Sequence, residues 1–224
     1  MGKKFFEEIE LFLFDMDGLL FDTETIYVGY GREVAKKMGY TITKDIVEKT
    51  TGVTDDKARI LFKESLGQEF PYDEMMGTVK DHILELAKKS EVPLKPGASE
   101  LLEFLRENNK EMILATSSDL FMAEALINGK DLKKYFSHFV TAEDVVHGKP
   151  DPEVFLIGAK KAGVSPEKTV VFEDSFNGIR AAHAAGTFPV MVPDKLKPTE
   201  EIEKLVYKKF NSLVEVLDYF KGNN

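Results

Sequence analysis

Asp15 and Asp17 stand two positions apart at the end of an apolar run, in LFLFDMDGLLFD, residues 11–22. The run from Leu11 to Phe14 has the composition of a strand buried on both faces. Two carboxylates where such a strand stops cost stability unless something neutralises them. Three further apolar runs end in polar groups. EMILAT (111–116) closes on Thr116, Ser117 and Ser118. HFV (138–140) leads through a loop to HGKPDP and Lys149. TVVFE (169–173) closes on Glu173, Asp174 and Ser175. If these runs are neighbouring parallel strands, their carboxyl ends share one crevice. That crevice then holds two or three carboxylates, a hydroxyl and one ammonium.

Those groups suit a phosphate and a hard cation. Mg²⁺ takes oxygen ligands, usually one or two carboxylates plus substrate phosphate. A carboxylate is a competent nucleophile toward phosphorus, provided that a cation and an ammonium offset the repulsion between two anions. A second carboxylate can protonate the leaving oxygen and later activate water. Each motif also has a plainer reading. Asp15 and Asp17 suit a turn before Gly18, Thr116 to Ser118 suit a helix cap, Lys149 suits a solvated loop, and Asp174 suits the cap of a helix carrying Ile179 and Ala182. Their coincidence at four strand ends favours a common site.

The elements that must position these groups alternate along the chain. Strand candidates fall at 10–15, 111–116, 138–140, 169–173 and 188–192, the last leading into no evident site chemistry. Helical spacing joins Ala98, Leu101, Leu102 and Leu105, and again Phe155, Ala159 and Ala162. Strands alternating with helices predict an α/β fold, a parallel sheet with helices on both faces. Residues 22–92 break the alternation. Ile26, Tyr30, Val34 and Met38 form one helical stripe, and Met75, Val79, Ile83 and Leu86 another. The reading is a helical bundle, 22–92, inserted into a sheet domain made of 1–21 and 93–224.

Composition narrows the function. The 224 residues carry a net charge of −9 with 31% charged and 43% hydrophobic residues. An acidic chain is a poor general binder of nucleic acid, whose affinity rests on neutralising phosphates. The absence of Cys excludes thiolate metal sites and a Cys nucleophile. MGKKFFEEIE has acids where a secretory segment needs apolar residues, and no run approaches the ~18 apolar residues of a membrane span. The expectation is a monomer in a reducing cytoplasm, with a small phosphorylated metabolite as partner and neither nucleic acid nor membrane. His82, His138, His147 and His183 form no ligand spacing.

The motifs FDMDGLLFDTE (14–24), LATSS (114–118), HGKPDPEVF (147–155) and VFEDSFNGI (171–179), with AAHAAG (181–186), occur in an order that resembles the haloacid dehalogenase-type phosphohydrolases with a helical cap. The resemblance is close to the β-phosphoglucomutase and pseudouridine-5′-phosphatase branches and spans nearly the whole chain. It implies a Rossmann-like core, a four-helix-bundle cap and Mg²⁺ as cofactor. By position it implies Asp15 as nucleophile and metal ligand. Asp17 would be the general acid and base, with its carbonyl on the metal. Thr116 would hold the phosphoryl group, and Lys149 would neutralise Asp15 and a phosphoryl oxygen. Asp174 would ligate Mg²⁺, with Glu173 supporting it. Met16, Ser117 and Ser118 would line the phosphoryl pocket through their backbones. Thr23, Glu24 and Gly52 would lie near substrate.

Mutases of this kind carry a basic residue in a G-V-S-R cap loop, and a His in the first cap helix. This chain has Gly52-Val53-Thr54-Asp55, and Tyr27 in that helix. A carboxylate cannot grip a second phosphate as a guanidinium does. Hydrolysis of a phosphate monoester, of a sugar or nucleotide-like alcohol, is therefore expected over mutase activity. A receiver-like phosphoacceptor domain is the alternative from another class. It is disfavoured because receivers are shorter and lack an insertion after the first strand.

Overall fold

Every side chain of β1 (Leu11–Phe14) is buried, because this strand runs through the middle of a sheet covered on both faces. The computed structural model describes residues 2–222. In it β1 pairs in parallel with β2 (Glu111–Ala115) and β4 (Thr169–Glu173). Beyond β2 lies β3 (His138–Val140); beyond β4 lie β5 (Phe188–Met191) and β6 (Lys208–Lys209). The order is β3-β2-β1-β4-β5-β6, all parallel. Phe14 is level with Leu114 and with Phe172, so Asp15, Ala115 and Glu173 emerge together at the carboxyl edge.

The two-residue period of the strands divides the core. Phe12, Phe14, Met112, Leu114, Val170 and Phe172 face one way. There they meet Phe6 of α1 (Gly2–Glu8), Leu101 and Leu105 of α6 (Ala98–Glu107), Met122 of α7 (Leu120–Gly129) and Phe220 of α11 (Leu213–Lys221). Leu11, Leu13, Ile113, Ala115 and Val171 face the other way. They pack on Val154, Phe155 and Ala159 of α8 (Glu153–Ala162) and on Ala181 and Ala182 of α9 (Phe176–Ala184). A smaller cluster joins Met191 and Ile179 to Ile202 of α10 (Glu200–Leu205). Each fully buried Phe or Leu contributes roughly 2–3 kcal/mol relative to exposure. The residues at the carboxyl edge are therefore rooted in the buried core.

Between β1 and β2 the chain forms four helices: α2 (Thr23–Lys37), α3 (Lys44–Thr50), α4 (Asp55–Leu66) and α5 (Tyr72–Lys88). Val34, Met75, Val79 and Ile83 are buried along the stripes expected from spacing. The two crossings into and out of this helical segment pair with each other. Asp22 donates its N–H to the Pro93 carbonyl at 2.9 Å, Lys95 donates to Leu20 at 2.8 Å, and Phe21 bridges Leu94 in antiparallel fashion.

Several elements were not anticipated, among them β6, α1, α10 and α11. β6 is only two residues long and both are lysines, so no apolar run marks it. α1 lies in the stretch read only for targeting signals. Its Phe6 packs on Phe12, Phe104 and Phe220 at centroid distances of 6.0, 5.3 and 5.1 Å. Among the described residues, no helix is long and apolar enough to cross a membrane.

Candidate active site

Burial of Lys149 is the central electrostatic fact of the carboxyl edge. Its side chain is 6% exposed, and its ammonium donates to Asp15 Oδ1 at 2.5 Å, Glu173 Oε1 at 2.6 Å and the Ala115 carbonyl at 3.1 Å. An ammonium out of water needs such partners. The two carboxylates outweigh the cost of burial and hold the Lys149 pKa above its usual value. The Asp15 pKa is pushed up by burial above all, and further by Glu173 and Asp17; Lys149 works against them. The Asp174 pKa is also raised well above the carboxylate range, by burial first and then by Glu173 and Asp15.

Local sequence explains how these groups approach so closely. Gly18 follows the acidic pair with φ +80°, a conformation that favours glycine. A Cβ on Gly18 would lie 2.3 Å from Asp174 Oδ2, so any side chain there would displace the Asp174 carboxylate. On the β4 side, Glu173 is wholly buried. Its Oε2 accepts from the Ser175 N–H and Oγ–H, both at 2.9 Å. Ser175 in turn caps α9 by accepting the Gly178 N–H at 3.0 Å. A Cβ on Gly178 would fall within 2 Å of the Glu173 carboxylate. The helix that follows β4 is thus built against Glu173.

Asp17 is held differently. Thr23 Oγ donates to its Oδ1 and Ser118 Oγ to its Oδ2, each at 2.7 Å. Thr23 is the first residue of α2 and Ser118 follows β2, so Asp17 ties the helical segment to the sheet edge. Thr116 is buried, and its hydroxyl accepts the Ser118 N–H at 3.0 Å. Carboxylate oxygens of Asp15, Glu173 and Asp174 all lie within 4.8 Å of one another. Three carboxylates around one ammonium leave net negative charge, and the donors are all hard oxygens. That set fits Mg²⁺.

A cavity of about 540 Å³ opens between this edge and the inserted helices. Asp15, Asp17, Thr116, Ser117, Lys149 and Asp174 line its floor, and Glu24 and Gly52 line it from the helical side. The structure thus brings most of the expected site residues to one space. Four take other positions. Met16 is fully buried, with its carbonyl accepting from Leu20 and Phe21. Thr23 and Ser118 reach Asp17 with their hydroxyls. Both Glu173 oxygens are occupied by Lys149 and Ser175, which gives Glu173 a supporting place behind the cavity wall. The Glu24 pKa is raised by burial, then by Asp17 and Asp194.

A match to the model of the haloacid dehalogenase-like hydrolase family spans residues 9–186. The chain belongs to the haloacid dehalogenase-like hydrolases. Within that family, the phosphorylated carbohydrates phosphatase of Thermotoga maritima is 36% identical over 182 residues, covering 80% of this chain and 82% of that protein. A Drosophila melanogaster protein named "Probable pseudouridine-5'-phosphatase" is 34% identical over 200 residues, covering 87% and 86%. The solved β-phosphoglucomutase of Clostridium difficile shares the fold, with a TM-score of 0.73, 24% identity and coverage of 96% and 98%.

One part of this hydrolase's site escaped the sequence reading. The segment after β5 also reaches the cavity, through Asp194, Lys195 and Leu196. Pro193 stands between the apolar run 188–192 and these residues, so the strand's end looked inert. Asn177, on the first turn of α9, lines the same wall. The signal that would have found them is the rule already applied to the other four strands: read past the apolar stop to the next polar group.

Proposed function

We propose that this chain is a Mg²⁺-dependent phosphatase that hydrolyses a small phosphate monoester, of a sugar or a nucleotide-like alcohol, through an aspartyl phosphate on Asp15. The observation that carries the reading is the meeting of Asp15, its Lys149 partner and Asp174 on the floor of the cavity. Asp15 and Asp174, with the Asp17 carbonyl, would hold Mg²⁺, which supplies positive charge to draw the phosphate dianion toward a carboxylate. Lys149 contributes the same kind of charge from the protein side.

The steps balance on the chain's own groups. An Asp15 carboxylate oxygen attacks phosphorus while the bond to the leaving oxygen breaks. Protonated Asp17 gives its proton to that oxygen. Asp17, now a carboxylate, takes a proton from water as the water oxygen attacks phosphorus. The Asp15–phosphorus bond breaks and inorganic phosphate leaves. The Thr116 hydroxyl and the Ser117 N–H would hold the phosphoryl oxygens. Thr23 and Ser118 hold Asp17 ready beside them.

Hydrolysis is favoured over phosphoryl return to a second hydroxyl. A mutase must grip a second phosphate, and the cavity wall offers Asp55 there. The neighbouring guanidinium of Arg59 is held by Asp55, Asp56 and Asp73 at 3.0, 2.7 and 3.0 Å. The Tyr27 phenol, pushed up in pKa by burial, is a neutral wall group. A receiver-like phosphoacceptor has no use for the cavity that α2–α5 close. The deciding experiment is phosphate release from a panel of monoesters, with and without Mg²⁺, by the wild type and by Asp15→Asn. The reading requires many turnovers per enzyme for the wild type with Mg²⁺ and none for the variant. Equal release by both would end it.

A further inference from the structure

Asp194 is a buried acid to which the catalytic steps assign no role. Its side chain is 6% exposed, and Oδ1 is taken by Lys95 at 2.7 Å, with Lys195 at 3.4 Å. Oδ2 is buried, and no donor among the described residues reaches it. A buried carboxylate oxygen without a partner is a position that accepts a hydrogen bond readily, because leaving it unmet is costly. Asp194 also lines the cavity that holds Asp15 and Asp17. Lys195 lines it too, with its ammonium 3.0 Å from Thr25 Oγ on α2. Glu24, one residue away on the same helix, lines the cavity and forms no hydrogen bond among the described side chains.

We infer that Asp194, with Lys195 and Glu24, forms a hydroxyl-binding subsite that selects the alcohol part of the substrate. The inference rests on the phosphatase reading above and adds to it the residues that recognise the leaving group. The chemistry follows from the donor and acceptor inventory. An ionised carboxylate only accepts hydrogen bonds and an ammonium only donates them. A hydroxyl does both, so a carbon chain bearing several hydroxyls satisfies a wall of two carboxylates and one ammonium. An aromatic leaving group without hydroxyls does not. A leaving group bearing a second phosphate or a carboxylate meets Glu24 and Asp194 as like charges, with Lys195 on the wall and Lys95, already bonded to Asp194, to offset them only in part. The subsite therefore takes monophosphates of neutral, polyhydroxylated alcohols.

The placement also explains why the segment after β5 belongs to the site. Lys195 bonds the first helix of the inserted segment, and Leu196 Cδ1 lies 2.9 Å from where a Cβ of Gly52 would be. Asp194 is anchored through Lys95 to the return crossing. One short loop thus touches both crossings' surroundings and the loop carrying Gly52.

The test compares glucitol 6-phosphate with p-nitrophenyl phosphate in the wild type, Asp194→Ala and Asp194→Asn, all with Mg²⁺. For Asp194→Ala the ratio of kcat/KM for glucitol 6-phosphate to that for p-nitrophenyl phosphate falls roughly tenfold, as expected when one hydrogen bond to a substrate hydroxyl is lost. The loss appears in KM more than in kcat. Asp194→Asn keeps an acceptor oxygen and the side-chain volume, so it recovers part of the ratio; it also stands in should the alanine variant fail to fold. A ratio unchanged in both variants overturns the inference and assigns Asp194 a structural role toward Lys95. A wild type that releases phosphate from neither these esters nor the wider panel of monoesters with Mg²⁺ sinks the phosphatase reading instead, so the two failures are distinct.

Discussion

Glu173 holds the Lys149 ammonium at 2.6 Å without reaching the cavity that Lys149 serves. The charge that faces substrate is thus set in place by an acid behind the wall. Replacing Glu173 by Gln keeps the shape and removes that charge. The expected result is a fall in kcat of roughly tenfold or more, with a loss of stability toward the 3–5 kcal/mol typical when one partner of a buried pair is removed. Phosphate-release kinetics and a denaturant titration check both numbers. Wild-type kcat with unchanged stability would show that Lys149 needs no second carboxylate.

Lys149→Met removes the cation and keeps the stem. Rate falls roughly 100- to 1,000-fold, the usual loss when one preorganised electrostatic group is deleted. Steady-state kinetics at saturating Mg²⁺ measure it, and a loss below threefold would contradict the role.

Stability of the metal-free protein depends on pH with a definite sign. Asp15 and Asp174 have raised pKa values in the folded state. The native state therefore binds protons more tightly than the unfolded chain. Their contribution to stability falls as pH rises from the ordinary carboxylate value of 3.8 to about 8, where Asp15 titrates. Mg²⁺ reverses the trend by favouring the ionised forms, so the rise in Tm on adding Mg²⁺ grows with pH across that window. Thermal melts in buffer with a chelator or with Mg²⁺ check this. A Mg²⁺ shift independent of pH would remove Asp15 and Asp174 as ligands.

Gly178→Ala places a methyl group inside contact distance of the Glu173 carboxylate. Overpacking of this kind costs about 1–3 kcal/mol, and here the displaced group is the one that holds Lys149. Loss of stability and of kcat should appear together. A variant that is destabilised but fully active would separate Glu173 from catalysis.

Asp55→Arg exchanges the carboxylate on the cavity wall for a second phosphate-binding group. Inhibition by a hexose bisphosphate should strengthen about tenfold or more, since a bidentate contact replaces like-charge repulsion. Inhibition constants measured against a monophosphate substrate check it. No change would place Asp55 away from bound substrate.

The groups that meet at the carboxyl edge were legible because β1, β2 and β4 carry them at their ends and β3 leads through a loop to Lys149. The fold class was legible because β1, β2 and β4 are apolar runs bounded by polar residues, as buried parallel strands must be. What escaped lacks that signature. β6 offers two lysines and no apolar run. α1 declares itself through Phe5 and Phe6, whose partners Phe188, Tyr207, Phe104 and Phe220 are far away in the chain. Asp194 follows Pro193, one residue beyond the apolar run 188–192. Thr23 was expected near substrate and the Ser118 backbone in the phosphoryl pocket, but the bonds of their hydroxyls to Asp17 arise from two segments meeting in space, which spacing along the chain does not encode.

The claim on which the rest depends is that phosphorus becomes bonded to Asp15. Asp17→Asn, unable to activate water, should accumulate the phosphoenzyme during turnover of p-nitrophenyl phosphate, whose leaving oxygen needs no proton from Asp17. Acid quench followed by proteolysis and mass spectrometry of the peptide containing Asp15 reads it directly. The account predicts one added phosphoryl group on that peptide, on Asp15, and none in Asp15→Asn. A phosphoryl group on any other residue, or Asp15→Asn that turns over substrate at the wild-type rate, would contradict it.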